Sequence, residues 1–393
     1  MADESAPQPP QLSEPIRATV AGCRLTILAT GEDRMRALID LIEGARSSLR
    51  VLFYMFNSDS SGIRVRDALV AAVRRGVGVK LLLDGYGCST ADSDFFAGID
   101  DEGGNVCLFH PSYGRRYLLR NHQKLVIADE EKAIIGGANI EDSYLVDTGP
   151  RYWRDLWLVV EGPAVAHPAG YFDELYRWTT SPRARLRDLR RLVYRHSQST
   201  GALQWKFSGP LSRRNPWPAA LARDISAACR LDVIAAYFAP PRSMLRRLAR
   251  LAMRGSVRII TAAKSDNNAT IAAARHTYSR LLRRGVEMYE YRPTRLHTKL
   301  IIVDDAVYIG SANFDFRSIY LNLEIMLRVE DRNFANLMRS YFEGEVAESE
   351  RITPQLHRQR ANPWRRFKWT VSHWLVTSMD YTVTRRLNFR VER

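Results

Sequence analysis

His122-Gln123-Lys124-Leu125-Val126-Ile127-Ala128-Asp129, followed by Ile134-Ile135-Gly136-Gly137-Ala138-Asn139, returns later in the chain. The second form is His297-Thr298-Lys299-Leu300-Ile301-Ile302-Val303-Asp304, followed by Tyr308-Ile309-Gly310-Ser311-Ala312-Asn313. Both copies read His-x-Lys-x4-Asp and then Gly-(Gly/Ser)-x-Asn, with six residues between Asp and Gly in the first copy and five in the second. Ordinary residue usage gives such a string a chance of roughly 10⁻⁷ to 10⁻⁸ per starting position, so two copies mark a duplication.

The flanking sequence repeats in step. Ala45-Arg46-Ser47-Ser48-Leu49-Arg50-Val51-Leu52 is echoed by Ala227-Ala228-Cys229-Arg230-Leu231-Asp232-Val233-Ile234, and a helical stretch ends at Arg75-Gly76 in one half and at Arg254-Gly255 in the other. The motif histidines lie 175 residues apart (122 to 297), too far for a solenoid repeat and right for a duplicated domain. Strand patterns (23–28, 49–56, 77–83, 105–109) alternate with helical ones (31–45, 63–75), which predicts α/β layering with a largely parallel sheet. The expected division is a disordered lead-in over 1–21, a first domain with connector over 22–200, a second over 201–350 and a tail over 351–393.

The motif's chemistry follows from its spacing. The apolar run between Lys and Asp reads as a buried strand, and residues two apart on a strand face the same side. His122 and Lys124 therefore point together, as do His297 and Lys299. A neutral imidazole is a nucleophile and an imidazolium a proton donor, while lysine supplies positive charge for a phosphate oxygen. Asn139 and Asn313 donate amide hydrogen bonds, and Gly137 and Ser311, with the glycines before them, bring backbone close to an anion. Each half supplies half of a phosphoryl-transfer site, because attack by one histidine needs an acid on the far side of phosphorus. No spacing suggests a metal or another cofactor. The six other histidines (110, 167, 196, 276, 357 and 373) read as structural.

The 393 residues carry a formal net charge of +15, with 46% hydrophobic and 26% charged, a globular profile suited to an anionic partner. Four cysteines without CxxC spacing read as reduced, buried thiols of a cytoplasmic protein. No apolar run approaches the ~18 residues of a membrane span. In the tail, Trp364, Phe367, Val371, Trp374 and Leu375 recur at helical spacing among Arg365, Arg366 and Lys368. Such a helix suits a membrane interface, and docking on the protein's own core is the competing reading.

The paired motifs resemble those of the phospholipase D superfamily over about 23–349. Arg120-Asn121-His122-Gln123-Lys124, Trp153-Arg154-Asp155, Tyr237-Phe238-Ala239-Pro240 and Gly310-Ser311-Ala312-Asn313-Phe314-Asp315-Phe316-Arg317-Ser318 are most similar to bacterial cardiolipin synthases. The resemblance implies two duplicated α/β/α domains related by a pseudo-two-fold axis, with the active site at their interface. It implies a catalytic set of His122, Lys124, Asp129, His297, Lys299 and Asp304. His122 would attack the phosphodiester and His297 would handle the alcohols' protons. Asp129 and Asp304, five residues beyond the lysines, are expected to orient structure. Asp155 and Glu324 are similar to the acidic residues that steady the family's histidines, although their distances from the motif asparagines differ. Many longer synthases carry two transmembrane helices, whereas this chain looks like the peripheral type. The implied reaction transfers a phosphatidyl group, two phosphatidylglycerols giving cardiolipin and glycerol, at the inner face of the cell membrane. Hydrolysis by water, a nuclease-like phosphodiesterase and a non-enzymatic binding module are the rivals. Nucleic acid is disfavoured as a partner because related nucleases often carry one motif per chain.

Overall fold

The computed structural model describes residues 15–89, 93–109, 119–147, 152–210 and 215–378. Its first half runs β1 (Ile16–Val20), β2 (Cys23–Leu28), α1 (Gly31–Gly44), β3 (Ser48–Phe53), α2 (Ser60–Arg74), β4 (Gly78–Asp84), α3 (Ala97–Asp101) and β5 (Asn105–Phe109). The motif region follows as β6 (Leu125–Ala128), β7 (Lys132–Gly136), α4 (Asp142–Leu145), β8 (Trp153–Arg154) and β9 (Trp157–Glu161), closed by α5 (Ala166–Thr180) and α6 (Leu186–His196). The second half opens with β10 (Leu203–Ser208), α7 (Pro216–Ala227), β11 (Arg230–Ala235), β12 (Phe238–Ala239), α8 (Arg242–Ala252), β13 (Ser256–Ala262), α9 (Asn268–Leu282) and β14 (Glu287–Tyr291). It continues through β15 (Arg295–Leu296), β16 (Lys299–Val303), β17 (Ala306–Gly310), β18 (Phe314–Asp315), α10 (Phe316–Tyr320), β19 (Glu324–Glu330) and α11 (Arg332–Ala347). The last elements are β20 (Ser349–Ile352), α12 (Pro354–Arg360) and α13 (Pro363–Ser378).

Two eight-stranded sheets result, ordered β1-β2-β9-β7-β6-β3-β4-β5 and β10-β19-β17-β16-β11-β13-β14-β20. The duplication is plain in the shared core of each sheet. The expectation of largely parallel sheets is corrected: within these two sheets only β3–β4–β5 and β11–β13–β14 are parallel and every other neighbour pair is antiparallel, while β8–β15 and β12–β18 form separate two-stranded parallel pairs. The cause lies in the motif. Its two apolar runs are joined by three residues in the first half and two in the second, so β6–β7 and β16–β17 close as hairpins, and a hairpin must be antiparallel.

Alternation along the motif strands places the core. Leu125 and Ile127 of β6 join Leu300 and Ile302 of β16 in one cluster between the sheets, with α5, α6 and α11 contributing to it. Val126 and Ala128 turn outward to α1 and α2, while Ile301 and Val303 turn outward to α7 and α8. Strands buried on both faces read as unbroken apolar runs, which is how these appear in the sequence.

Two boundaries move. Residues 16–20, expected within a disordered lead-in, form β1 and pair with β2 over their whole length, because Ile16, Ala18 and Val20 alternate towards the core. Residues 1–14 lie outside the described residues. The tail, expected from 351, begins inside β20, which pairs with β14. Of the cysteines, Cys229 is exposed rather than buried, being at the turn before β11.

Candidate active site

The ends of the motif strands are where the two halves meet. Backbone hydrogen bonds cross the junction: His122 N–H donates to Leu323 O (3.0 Å), Leu323 N–H to Arg120 O (2.9 Å) and His297 N–H to Arg154 O (2.7 Å). Leu323 and Arg154 each precede an acidic residue. Each histidine therefore faces the carboxylate of the opposite half, His122 Nδ1 lying 3.1 Å from Glu324 Oε2 and His297 Nδ1 2.6 Å from Asp155 Oδ2. Asp155 and Glu324 are equivalent despite their unequal spacing. Gly136 pairs with Trp157 and Gly310 with Met326, which puts each acid two residues before its registered partner. The intervening loops absorb the difference in length.

The glycines that begin the Gly-(Gly/Ser)-x-Asn segment make this register possible. A Cβ on Gly136 would stand 2.3 Å from Leu156 O, and one on Gly310 2.1 Å from Ile325 O, so no other residue lets these strands approach. Behind Asp155, the buried guanidinium of Arg34 donates to Asp155 O (2.7 Å) and Tyr144 O (2.6 Å), and Arg154 pairs with Glu345 at 2.6 Å. The loop carrying the acid is thus fixed from both sides.

The cleft above the histidines is lined by Asn139 and Asn313, by Arg120, Arg295 and Arg317, and by Tyr54, Tyr144, Trp153 and Tyr237. His122 packs against Tyr54 (ring centroids 4.9 Å), whereas three rings surround His297: Tyr144 at 5.1 Å, Trp153 at 5.4 Å and Tyr237 at 6.1 Å. The motif chemistry assigns these arginines no role, although Arg120 and Arg317 stand in the segments that carry the resemblance. Arg120 and Arg295 each stand two residues before a motif histidine, the spacing that aligns side chains on extended backbone.

Burial depresses both imidazoles. For His122 it outweighs the opposing pull of Glu324, and for His297 burial and then Lys299 drive the pKa down to about 3 against Asp155. Both rings are neutral at pH 7. At His122, with Nδ1 turned to Glu324, the ring proton belongs there and the Nε2 lone pair is left for the cleft, whereas His297 Nδ1 lies 2.6 Å from Lys299 Nζ as well as from Asp155 Oδ2. Burial also pushes Lys124 down to about 7, against Glu324, and Lys299 down to about 8, against Asp155. Asp155 itself is held below the usual carboxylate range, since Lys299 and His297 together outweigh its burial.

The remaining sequence-derived residues fall in three places. Lys124 and Lys299 lie buried beneath the histidines, each ammonium donating to its own histidine's carbonyl, at 2.7 Å for Lys124. Asp129 and Asp304 sit at the far end of the motif strands, which corrects their place in the catalytic set. At positive φ (53° and 46°) they turn the hairpins, Asp129 accepting from the backbone N–H groups of Arg46, Ser47 and Ser48 and Asp304 from Cys229 and Arg230. Gly137 and Ser311, expected at the phosphate, support the carboxylates instead. Ser311 Oγ donates to Glu324 at 2.5 Å, and a Cβ on Gly137 would stand 2.6 Å from both oxygens of Asp155.

Comparison with known proteins agrees with this geometry. The family model described as "Cardiolipin synthase, PLD-like domain" matches residues 38–176 and 221–346. Cardiolipin synthase A of Pseudomonas aeruginosa is 31% identical over 346 residues, covering 86% of this chain and 70% of that protein. A cardiolipin synthase of Listeria monocytogenes is 30% identical over 359 residues, covering 89% and 74%. In fold, the chain is similar to the crystal structure of phosphatidylserine synthase from Haemophilus influenzae, with a TM-score of 0.70 at 14% identity over 92% of this chain and 94% of that one. With two motif-bearing halves that complete each other's histidines, the chain belongs to the cardiolipin synthase family of phospholipase D-like enzymes.

Proposed function

We propose that this chain is a phosphatidyltransferase that makes cardiolipin and glycerol from two phosphatidylglycerols, working as a peripheral protein on the inner face of the cell membrane. The observation that carries the reading is the reciprocal pairing of His122 with Glu324 and His297 with Asp155 in one cleft. It brings both imidazoles to the lining of one cleft. We read the two halves as duplicated domains that act as one unit, because neither completes its own histidine.

In the first step His122 Nε2 attacks phosphorus and forms an N–P bond. The P–O bond to the departing glycerol breaks as His297, which takes up a proton from solvent when the phosphate anion binds, gives that proton to the leaving oxygen and returns to its neutral form. In the second, His297 takes the proton of the acceptor hydroxyl, whose oxygen attacks phosphorus, and the N–P bond breaks to restore neutral His122. The His122 side chain is the more accessible, 12% exposed against 5% for His297, which favours it as the nucleophile that a bulky phosphodiester must reach. The low pKa of His297 means that it is protonated only as the phosphate anion enters and offsets Lys299. Lys124 and Lys299 supply positive charge from beneath, with Asn139 and Asn313 on the cleft walls as amide donors. Among the described residues, no helix is long and apolar enough to cross a membrane.

Incubation with phosphatidylglycerol and no added metal tests the proposal. Cardiolipin and free glycerol, read by mass spectrometry, are the expected products. Phosphatidic acid alone would make water the acceptor, and cleavage of single-stranded DNA with no lipid product would refute the lipid substrate.

A further inference from the structure

The tail helix α13 has two apolar faces rather than one. Trp369, Ser372 and Val376 are buried against α9 and its surroundings: Trp369 packs with Ala272 and stacks on His357 at 5.3 Å, and Val376 packs with Ala239, Ala269 and Ala273. The other side of the helix carries Trp364, Phe367 and Trp374, which are 63%, 58% and 59% exposed. At 100° per residue these three, with Val371, fall within about a quarter-turn of one another and roughly opposite the docked face. Among the described residues eight large apolar side chains are exposed, and the three on α13 are the only ones to share a helix face. Arg366 and Lys368 border the stripe, exposed Arg365 lies in the first turn of the helix, and no acidic residue occurs from Pro354 to Thr377.

The placement matters as much as the composition. Val376 meets the start of α9 while Thr370 and His373 meet His276 further along, so α13 runs antiparallel to α9. Its C-terminal end therefore lies beside Ala239 and the N-terminal end of α9, adjoining Tyr237 and Asp266 of the cleft wall. We infer that the exposed Trp364–Phe367–Trp374 stripe of α13, with Arg365, Arg366 and Lys368, docks the protein on an anionic bilayer and sets the cleft mouth at the lipid surface. Aromatic rings at the headgroup boundary with basic side chains among them are the chemistry of an interfacial helix, and charge selects the anionic surface. The inference deepens the lipid-substrate reading proposed above, and its test separates the two.

The test is vesicle sedimentation of the full chain against phosphatidylglycerol-containing and purely phosphatidylcholine vesicles. The comparison protein is the triple variant Trp364→Ser, Phe367→Ser, Trp374→Ser, whose fold is checked by its melting transition. Wild type is expected on the anionic vesicles, with at least about tenfold weaker partitioning for the variant. Brominated acyl chains should quench wild-type fluorescence and lose that extra quenching in the variant. Equal sedimentation of both proteins, or equal binding of wild type to both vesicle types, would overturn the inference. So would a wild-type dimer that the substitutions dissolve, since the stripe would then belong to a second copy. Turnover of monomeric short-chain phosphatidylglycerol by wild type is read separately, and its absence would fault the substrate while leaving the docking surface standing.

Discussion

The two halves share a fold but hold their histidines differently. Glu324, opposite His122, sits in a web: Ser311 and Ser318 hydroxyls donate to it at 2.5 and 2.7 Å, with Asn322 at 3.4 Å. Asp155, opposite His297, has Leu156 N–H at 2.8 Å and Lys299 Nζ at 3.8 Å, with no hydroxyl donors of that kind. Where the second half has Ser311, the first has Gly137, because Asp155 and Lys299 fill that space. Hydroxyl donors fix Glu324 without adding charge, whereas Asp155 shares its histidine with a cation. This difference supports the proposed division, with His122 as the nucleophile and His297 as the group that carries the alcohols' protons.

That contrast can be broken in order of expected effect. Asp155→Ala and Glu324→Ala should each lower kcat by about 10²- to 10³-fold, since a misoriented imidazole loses its tautomer as well as its place. The two should differ in kind. Glu324→Ala slows formation of the covalent intermediate, while Asp155→Ala makes rate depend on leaving-group pKa. Equal behaviour with a panel of leaving groups would refute the division of roles.

Gly137→Ser should cost about tenfold or more in kcat and about 1–3 kcal/mol in stability, because the new side chain drives into the Asp155 carboxylate. Ser311→Gly removes the hydroxyl that donates to Glu324 and accepts from Ile325 N–H, and should cost about 1–2 kcal/mol in a denaturant titration with a smaller loss of kcat than Gly137→Ser. If the two substitutions proved equally harmful, the halves would be interchangeable at this position.

The pH profile of kcat/KM, which reports the free enzyme, follows from the depressed lysines. Both must be cationic to attract phosphate, and burial places Lys124 at about 7 and Lys299 at about 8, so activity should fall as pH rises through 7–8. On the acid side activity should not fall until below pH 6.5, because burial holds the nucleophile His122 neutral. A bell centred near 6.5 would contradict this. The smallest catalytic effect is expected at the hairpin turns. Asp129→Asn and Asp304→Asn should each leave kcat within about twofold and lower stability by about 1–2 kcal/mol, as charged acceptors of backbone N–H groups are weakened.

The sequence made legible what is local. The motif strands, the helices between them and the duplication are written as periodicity, and so are the histidines and lysines. What it hid is tertiary. The exchange of carboxylates between halves depends on the register of β7 with β9 and of β17 with β19, which equalises loops of different length. Antiparallel pairing was missed because helix–strand alternation is true of β3 to β5 and of β11 to β14, and the motif hairpins lie outside that pattern. β1 was hidden by the Pro-rich sequence before it, although Ile16, Ala18 and Val20 alternate cleanly. The tail's spacing shows one apolar stripe that includes Leu375, whereas packing buries Leu375 and adds a docked face at Trp369 and Val376.

The most direct test of the whole account is to locate the covalent intermediate. Wild type mixed with phosphatidylglycerol, quenched in alkali and digested, should carry a glycerophosphoryl adduct, the phosphatidyl group deacylated by the quench, on the peptide containing His122. The adduct should persist in His297→Asn and be absent from His122→Asn. An adduct on His297, retained in His122→Asn, would contradict the assignment.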